Sequence, residues 1–181
     1  VLRYGIPEYR LPKEVLKKEI NRIFALGIHL NVGEYVDRKR LNDIKNQYDY
    51  VFLGTGAWLP QRIEIGLENR ETIRYGLDFL SDEKKKAVCK GKKNVVVIGG
   101  GDVAVDVART ARRLCDPDTR ITMVAPENEG EFPAIPEGLL EAAEEGIHMI
   151  GGYRPAQFIG KEYLEKIKFV GTKVERDQTT G

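Results

Sequence analysis

The chain has 181 residues, 41% hydrophobic and 31% charged, with a formal net charge of +1. That balance lacks the clustered basic charge of a nucleic-acid binder, and no apolar run approaches the ~20 residues of a membrane span. Two cysteines, Cys89 and Cys115, stand far apart in the sequence without Cys-x-x-Cys spacing, and read as buried or idle thiols of a reducing, cytoplasmic setting.

The length suits one good core, or one domain plus part of another. No signal-peptide pattern is visible, and the chain opens on Val1, so it reads as a piece excised from a longer one.

Val1 to Leu11 reads as an extended connection. Pro12 suits the first turn of a helix with an apolar stripe of Leu16, Ile20, Ile23 and Phe24, and Gly27 is its natural stop. A short strand at Ile28–Val32 and a short helix over Asp37–Ile44 follow. Tyr50 to Leu53 forms a buried strand, and Gly54-Thr55-Gly56-Ala57 is a tight loop at its carboxyl end. Open α/β sheets bind ligands at that edge, although Thr55-Gly56 fits an ordinary turn equally well.

Residues 58–70 have no convincing period and read as a crossover, with Trp58 as a packing residue. Glu71–Leu80 suits a helix with Ile73, Leu77 and Leu80 inward. Ser81 is placed to cap a second helix running to Val88, on which Lys84-Lys85-Lys86 forms a solvated face.

The centre of the chain is the stretch from Lys92 to Glu127. Val95 to Ile98 is an unbroken apolar run, as in a parallel strand buried on both faces. Gly99-Gly100-Gly101-Asp102-Val103-Ala104 follows at once, and Val103, Val107, Ala111 and Leu114 then recur at helical spacing. Gly99 allows a tight turn, Gly101 lets backbone amides approach a pyrophosphate, and Ala104 lets the helix pack closely on the strand. The helix then presents free N–H groups and its positive dipole end to the phosphates.

A second strand, Ile121–Val124, leads through Ala125 and Pro126 to Glu127, an acid placed to bind a ribose diol. The reading is therefore a dinucleotide site. A P-loop would need Gly-Lys-Ser/Thr after the glycines, and an S-adenosylmethionine site would usually carry an acid where Val97 and Ile98 stand.

Asp102 is read as a turn and cap residue first and a cofactor contact second. Asp106 and Arg109 most simply form a surface pair, the sharper role for Arg109 being a contact to the cofactor phosphate. Glu127–Phe132 is an acidic loop. Pro136 opens a helix carrying Leu139, Leu140 and Ala143, Gly146 closes it, and Ile147–Ile150 is a third strand. From Gly151 the pattern becomes an antiparallel meander, Tyr153–Ile159 and Tyr163–Val170, with a tail to Gly181. Gly27-Ile28-His29 and Gly146-Ile147-His148 echo one another as αβ corners, so both histidines read as structural residues, without metal.

Several stretches together resemble the glutamate synthase small-subunit family and the similar module of dihydropyrimidine dehydrogenases. They are Gly5-Ile6-Pro7-Glu8-Tyr9-Arg10-Leu11-Pro12-Lys13, the segment from Tyr48 to Ala57, the turn from Val97 to Thr110, and Phe132-Pro133-Ala134. The resemblance covers nearly the whole chain. It implies an α/β fold: a Rossmann-like three-layer NAD(P)-binding domain with a β-meander at 94–181, a linker at 61–93, and a middle fragment of an FAD-binding Rossmann-like domain at 1–60. Thr55, Gly56 and Ala57 would lie on the flavin side. The flavin domain's glycine fingerprint is expected before Val1 and its closing strand after Gly181.

The implied activity is hydride transfer from NAD(H) or NADP(H) to FAD, with electrons passing to an iron–sulfur or flavin partner domain or subunit. The family often places Arg-Arg where Pro126 and Glu127 stand. A carboxylate there suits a ribose diol and repels a 2′-phosphate, which favours NADH over NADPH. No catalytic acid or base is assigned, since the cofactors carry the chemistry. The rival reading is a non-catalytic dinucleotide-sensing or assembly domain.

Overall fold

The computed structural model describes residues 1–57, 63, 72–82, 85–161 and 163–173. Trp58 and Lys84 fall outside them. The chain divides into two compact units, Pro12–Pro60 on the one hand and Val1–Leu11 with Gln61–Gly181 on the other.

The Pro12–Pro60 unit holds two helices, α1 (Lys13–Phe24) and α2 (Arg38–Gln47). Pro12 stands just ahead of α1, and Gly27 follows it at φ +84°, a conformation that favours glycine. Asp37 caps α2, its carboxylate accepting from the Arg40 N–H at 2.7 Å. The strands expected at Ile28–Val32 and Tyr50–Leu53 do not pair among the described residues. A strand is completed by a neighbour's ladder, which an apolar run cannot specify by itself. Leu30, Val32, Tyr50 and Phe52 accordingly stay exposed.

The larger unit contains α3 (Gly76–Ser81), α4 (Lys85–Cys89), β1 (Asn94–Ile98), α5 (Asp102–Leu114), β2 (Arg120–Val124), α6 (Pro136–Glu144) and β3 (His148–Ile150). It closes with β4 (Tyr153–Ile159) and β5 (Lys166–Gly171). Strands β1, β2 and β3 form a parallel sheet in that order, with Val97 opposite Met123 and Met123 opposite Met149. Successive parallel strands joined through helices make the Rossmann-like arrangement. The expected meander is a two-stranded antiparallel ladder, β4 with β5, whose register slips between Pro155 and Gln157. Proline has no N–H to give to a ladder, so the irregularity falls beside it.

Ile121, Met123 and Val105 are the largest fully buried side chains, and Ala104, Ala108 and Ala111 bring α5 close against the sheet. The stripe expected on α5 is shifted. Val103 is 47% exposed, whereas Ala104, Val105, Ala108 and Ala111 are buried. The cause is that α5 packs against α3 and α6 as well as against β1 and β2, so one apolar stripe does not describe it.

Among the described residues α3 begins at Gly76, within the 71–80 span expected for it. A Cβ there would lie 3.1 Å from Val103 Cγ1 and 3.2 Å from Val107 Cγ2, so the missing side chain lets α3 lie on α5. Ser81 ends α3 instead of capping α4. Its hydroxyl donates to the Leu77 carbonyl at 2.8 Å, the backbone bond that competes with capping.

Truncating the fully buried Ile121 of β2, Ile121→Ala, should lower unfolding free energy by roughly 2–5 kcal/mol through the cavity it leaves. Urea denaturation followed by circular dichroism measures it; a loss within ~0.5 kcal/mol would contradict the packing described.

Candidate functional site

The turn between β1 and α5 uses its glycines for three different reasons. Gly99 has φ +136°, and its N–H donates to the Val124 carbonyl at 2.9 Å. A Cβ on it would stand 3.3 Å from Ala104 Cβ, which explains the small residue at that position. Gly100 is buried, and a Cβ there would meet Ala125 Cβ at 3.1 Å, Pro133 Cδ at 3.2 Å and Glu127 Oε2 at 3.2 Å. Its carbonyl accepts from the Ala134 N–H at 3.1 Å, so Phe132-Pro133-Ala134 closes over the turn. Gly101 has an ordinary φ of −88° and is the N-cap of α5; a Cβ on it would meet nothing within 4 Å.

The first helical bonds of α5 run from the Ala104 and Val105 amides to the Gly101 carbonyl. The amides of Asp102 and Val103 precede them, at the positive end of the helix. Asp102 is the first residue of α5, one after the Gly101 N-cap. Its carboxylate accepts from the Ile135 N–H at 3.0 Å and holds the next loop against the turn.

Glu127 reaches this turn from the end of β2. Its position is fixed by backbone. Ala125 is fully buried and bonded on both sides, its N–H to the Ile150 carbonyl and its carbonyl from the Tyr153 N–H, each at 3.0 Å. The Glu127 carbonyl accepts from the Gly152 N–H at 2.6 Å, and the Thr172 hydroxyl donates to the Pro126 carbonyl at 2.6 Å. Glu127 Oε2 is buried yet has no hydrogen-bond partner among the described residues. A carboxylate oxygen left in that state costs free energy unless a donor arrives from elsewhere.

The structure thus gathers Gly99, Gly100, Gly101, Asp102, Val103, Ala104, Ala125 and Glu127 at the carboxyl ends of β1 and β2. Together they offer open amides beside a small-residue turn, and one unpartnered acceptor. Thr55, Gly56 and Ala57 belong to the Pro12–Pro60 unit, where all three are exposed and Gly56 has φ +71°.

Arg109 is engaged elsewhere. The expected surface pair with Asp106 does not form, and both residues are buried, at 6% and 5% exposure. Arg109 donates to Glu145 at 2.9 Å and also bonds Glu141, both on or just after α6, while Arg113 donates to both oxygens of Glu145 at 2.6 and 2.7 Å. Asp106 accepts from Arg10 at 2.9 Å. The Tyr9 ring lies under both guanidinium groups, 3.9 Å from Arg113 and 4.7 Å from Arg109. Spacing of three along a helix suggested a pair; partners far along the chain outcompeted it.

The partners respond to burial unequally. Loss of water pushes the Asp106 carboxyl up, against the hydrogen bond from Arg10, while the more exposed Arg10 is raised by Asp106. Burial also opposes ionisation of Glu145, but the bonds from Arg113 and Arg109 outweigh it and hold its carboxyl below the usual range. Neither Tyr9 nor Arg10 has a sequence signal of its own; they stand in the stretch from Gly5 to Lys13 that carries the family resemblance.

Among the described residues no helix is long and apolar enough to cross a membrane, and no group of three or more His, Cys, Asp or Glu is placed to hold a metal. The pyridine nucleotide-disulphide oxidoreductase model matches residues 5–179. The chain belongs to that family. Members similar to it include the NAD-dependent dihydropyrimidine dehydrogenase subunit PreT of Escherichia coli K12, 33% identical over 172 residues, which are 91% of this chain and 40% of that protein. The glutamate synthase [NADPH] small chain of the same strain is 30% identical over 190 residues, 98% of this chain and 39% of that one. The chain therefore spans about two fifths of the relatives it matches. FprA of Mycobacterium tuberculosis, solved in complex with NADPH, shares the fold with a TM-score of 0.73 at 16% identity, over 99% of this chain and 56% of its own. The glutamate synthase and dihydropyrimidine dehydrogenase relationship expected from the sequence is thereby shown.

The cluster on α5 and α6 predicts an acid-sensitive stability. Because Glu145 titrates lower in the folded chain, its contribution is present above the unfolded carboxyl range and is lost as pH falls through the folded value. Glu145→Gln should cost about 1–3 kcal/mol at neutral pH. The deficit should shrink toward zero in acid, as followed by urea melts across pH; a pH-independent deficit would rule out the ionic origin.

Proposed function

We propose that this chain is the nicotinamide-dinucleotide-binding portion of a flavin-dependent oxidoreductase, with residues 94–181 as the dinucleotide domain, 61–93 as linker and 1–60 as part of the flavin domain. The observation that carries the reading is the buried, unpartnered Oε2 of Glu127 beside Gly100. A ribose hydroxyl is a donor of the right kind for that oxygen. The neighbouring amides of Asp102 and Val103 would take the diphosphate, and the clearance around Gly101 leaves room for it.

NADH is the favoured nucleotide. A 2′-phosphate carries close to two negative charges and would face the Glu127 carboxylate with no guanidinium at Pro126 to offset it. The similar proteins divide on this point, one named NAD-dependent and the other NADPH. Arg109 contributes by fixing α5 against α6, since its guanidinium is committed to Glu141 and Glu145. Thr55, Gly56 and Ala57 are the proposed flavin-side contacts, on the likeness of residues 48–57 to the family's Ala-Thr-Gly segment.

Bound nicotinamide would supply the hydride and FAD would accept it. The chain's own residues bind and orient: the turn fixes the diphosphate, and Glu127 fixes the ribose. An iron–sulfur or flavin partner would receive the electrons, in a cytoplasmic setting consistent with two free thiols.

Calorimetric titration of the chain with NADH and NADPH should show NADH at least about tenfold tighter, a difference of ~1.4 kcal/mol. Glu127→Arg should reverse that order. Tighter NADPH binding by the unaltered chain would overturn the cofactor assignment.

Gly101→Val separates site from scaffold. Its φ suits any residue and its surroundings are open, so melting should be little changed, while dinucleotide affinity should fall by roughly tenfold or more. Unchanged affinity would place the diphosphate elsewhere.

A further inference from the structure

Cys89 ends α4 and Cys115 is the C-cap of α5. Far apart in the sequence, they meet in the fold. Cys89 is 3% exposed within the core of the larger unit, and Cys115 packs half-buried against the same core, near enough for its thiol to act on that of Cys89. The segments that follow them are laced together. The Gly91 N–H donates to the Asp116 carboxylate at 3.0 Å, the Thr119 hydroxyl to the Lys92 carbonyl at 2.6 Å, and the Arg120 N–H to the Lys93 carbonyl at 2.9 Å. Three bonds between these segments make the thiol contact a fixed feature of the fold.

The two sulfurs differ in access. Cys115 lines an open cleft with Arg112, Arg113, Pro117, Glu145 and Gly146. Cys89 lies behind it, and burial, with the adjacent Cys115 thiol, pushes the Cys89 thiol up to about 12. Reactivity follows the thiolate and its exposure, so the outer sulfur reacts first and the inner one resolves. The site lies at the opposite end of α5 from the glycine turn, about 20 Å away for thirteen helical residues.

We propose that Cys89 and Cys115 are a thiol–disulfide modification site, entered through Cys115 by a low-molecular-weight disulfide such as glutathione disulfide. The Cys115 thiolate attacks one sulfur of the oxidant, forming a mixed disulfide and releasing one glutathione thiolate. Cys89 gives its proton to solvent and attacks the Cys115 sulfur, releasing the second glutathione. Two protein thiols are oxidised, and one disulfide is reduced to two thiols. The S–S bond of about 2.05 Å then ties the end of α4 to the end of α5.

The test treats the full chain with glutathione disulfide under native conditions and follows intact mass and peptide maps. The expected end point is a mass lower by two hydrogens, with Cys89 and Cys115 in one linked peptide, restored by dithiothreitol. Cys89→Ser should stop with one glutathione attached, and Cys115→Ser should take up none. Resolution of the mixed disulfide should quicken about tenfold per pH unit from neutral upward, following the Cys89 thiolate. Wild-type chain that keeps its glutathione at alkaline pH, or that stays fully reduced, overturns the proposal, and so does equal labelling of Cys89 when Cys115 is replaced. The wild-type arm decides by itself if a variant fails to fold.

Discussion

The absence of a Cβ at Gly100 is the constraint on which the site depends. Within about 3.2 Å of where that atom would be stand the Ala125 methyl, the Pro133 ring and the Glu127 carboxylate. These come from the end of β2 and from the loop ahead of α6, and they converge because the turn presents backbone alone. Its carbonyl then bonds Ala134 and draws that loop down. Any side chain there would push apart the strand end, the acid and the loop together. Interiors are packed too closely to absorb that locally.

Much of the site was legible in the sequence. The apolar run, the glycines, the small residue at Ala104 and the acid after the second strand each answer a local requirement, and local requirements leave a pattern. The Rossmann-like sheet followed for the same reason. Glu127 was legible as a type of residue. Its unpartnered oxygen was not, because that depends on which polar groups come near it in three dimensions.

Other features were hidden for reasons of distance along the chain. Asp106 and Arg109 sit at a spacing that suggests each other, yet each found a partner remote in sequence. A helix packed on several sides can bury charge where a two-sided pattern predicts solvent. The run at Tyr50–Leu53 has the composition of a strand but no ladder among the described residues, and composition does not name a partner. Cys89 and Cys115 make the same point: spacing in the sequence carried no information about their contact.

The Arg10–Asp106 bond joins residues 96 positions apart, and Tyr9 beside it rests on Arg109 and Arg113. At ribosomal rates of about 5–20 residues per second, roughly 5–20 s separate the emergence of Arg10 from that of its partner. During that interval Tyr9 and Arg10 lack the partners they hold in the folded chain, and only the local turn bonds of this stretch can form. Pro7, Glu8 and Arg10 suit such a wait, since proline and charge disfavour premature strand pairing. Tyr9 and Arg10 are thus made long before the partners they hold in the fold, and nascent-chain quality control would meet them before those partners exist.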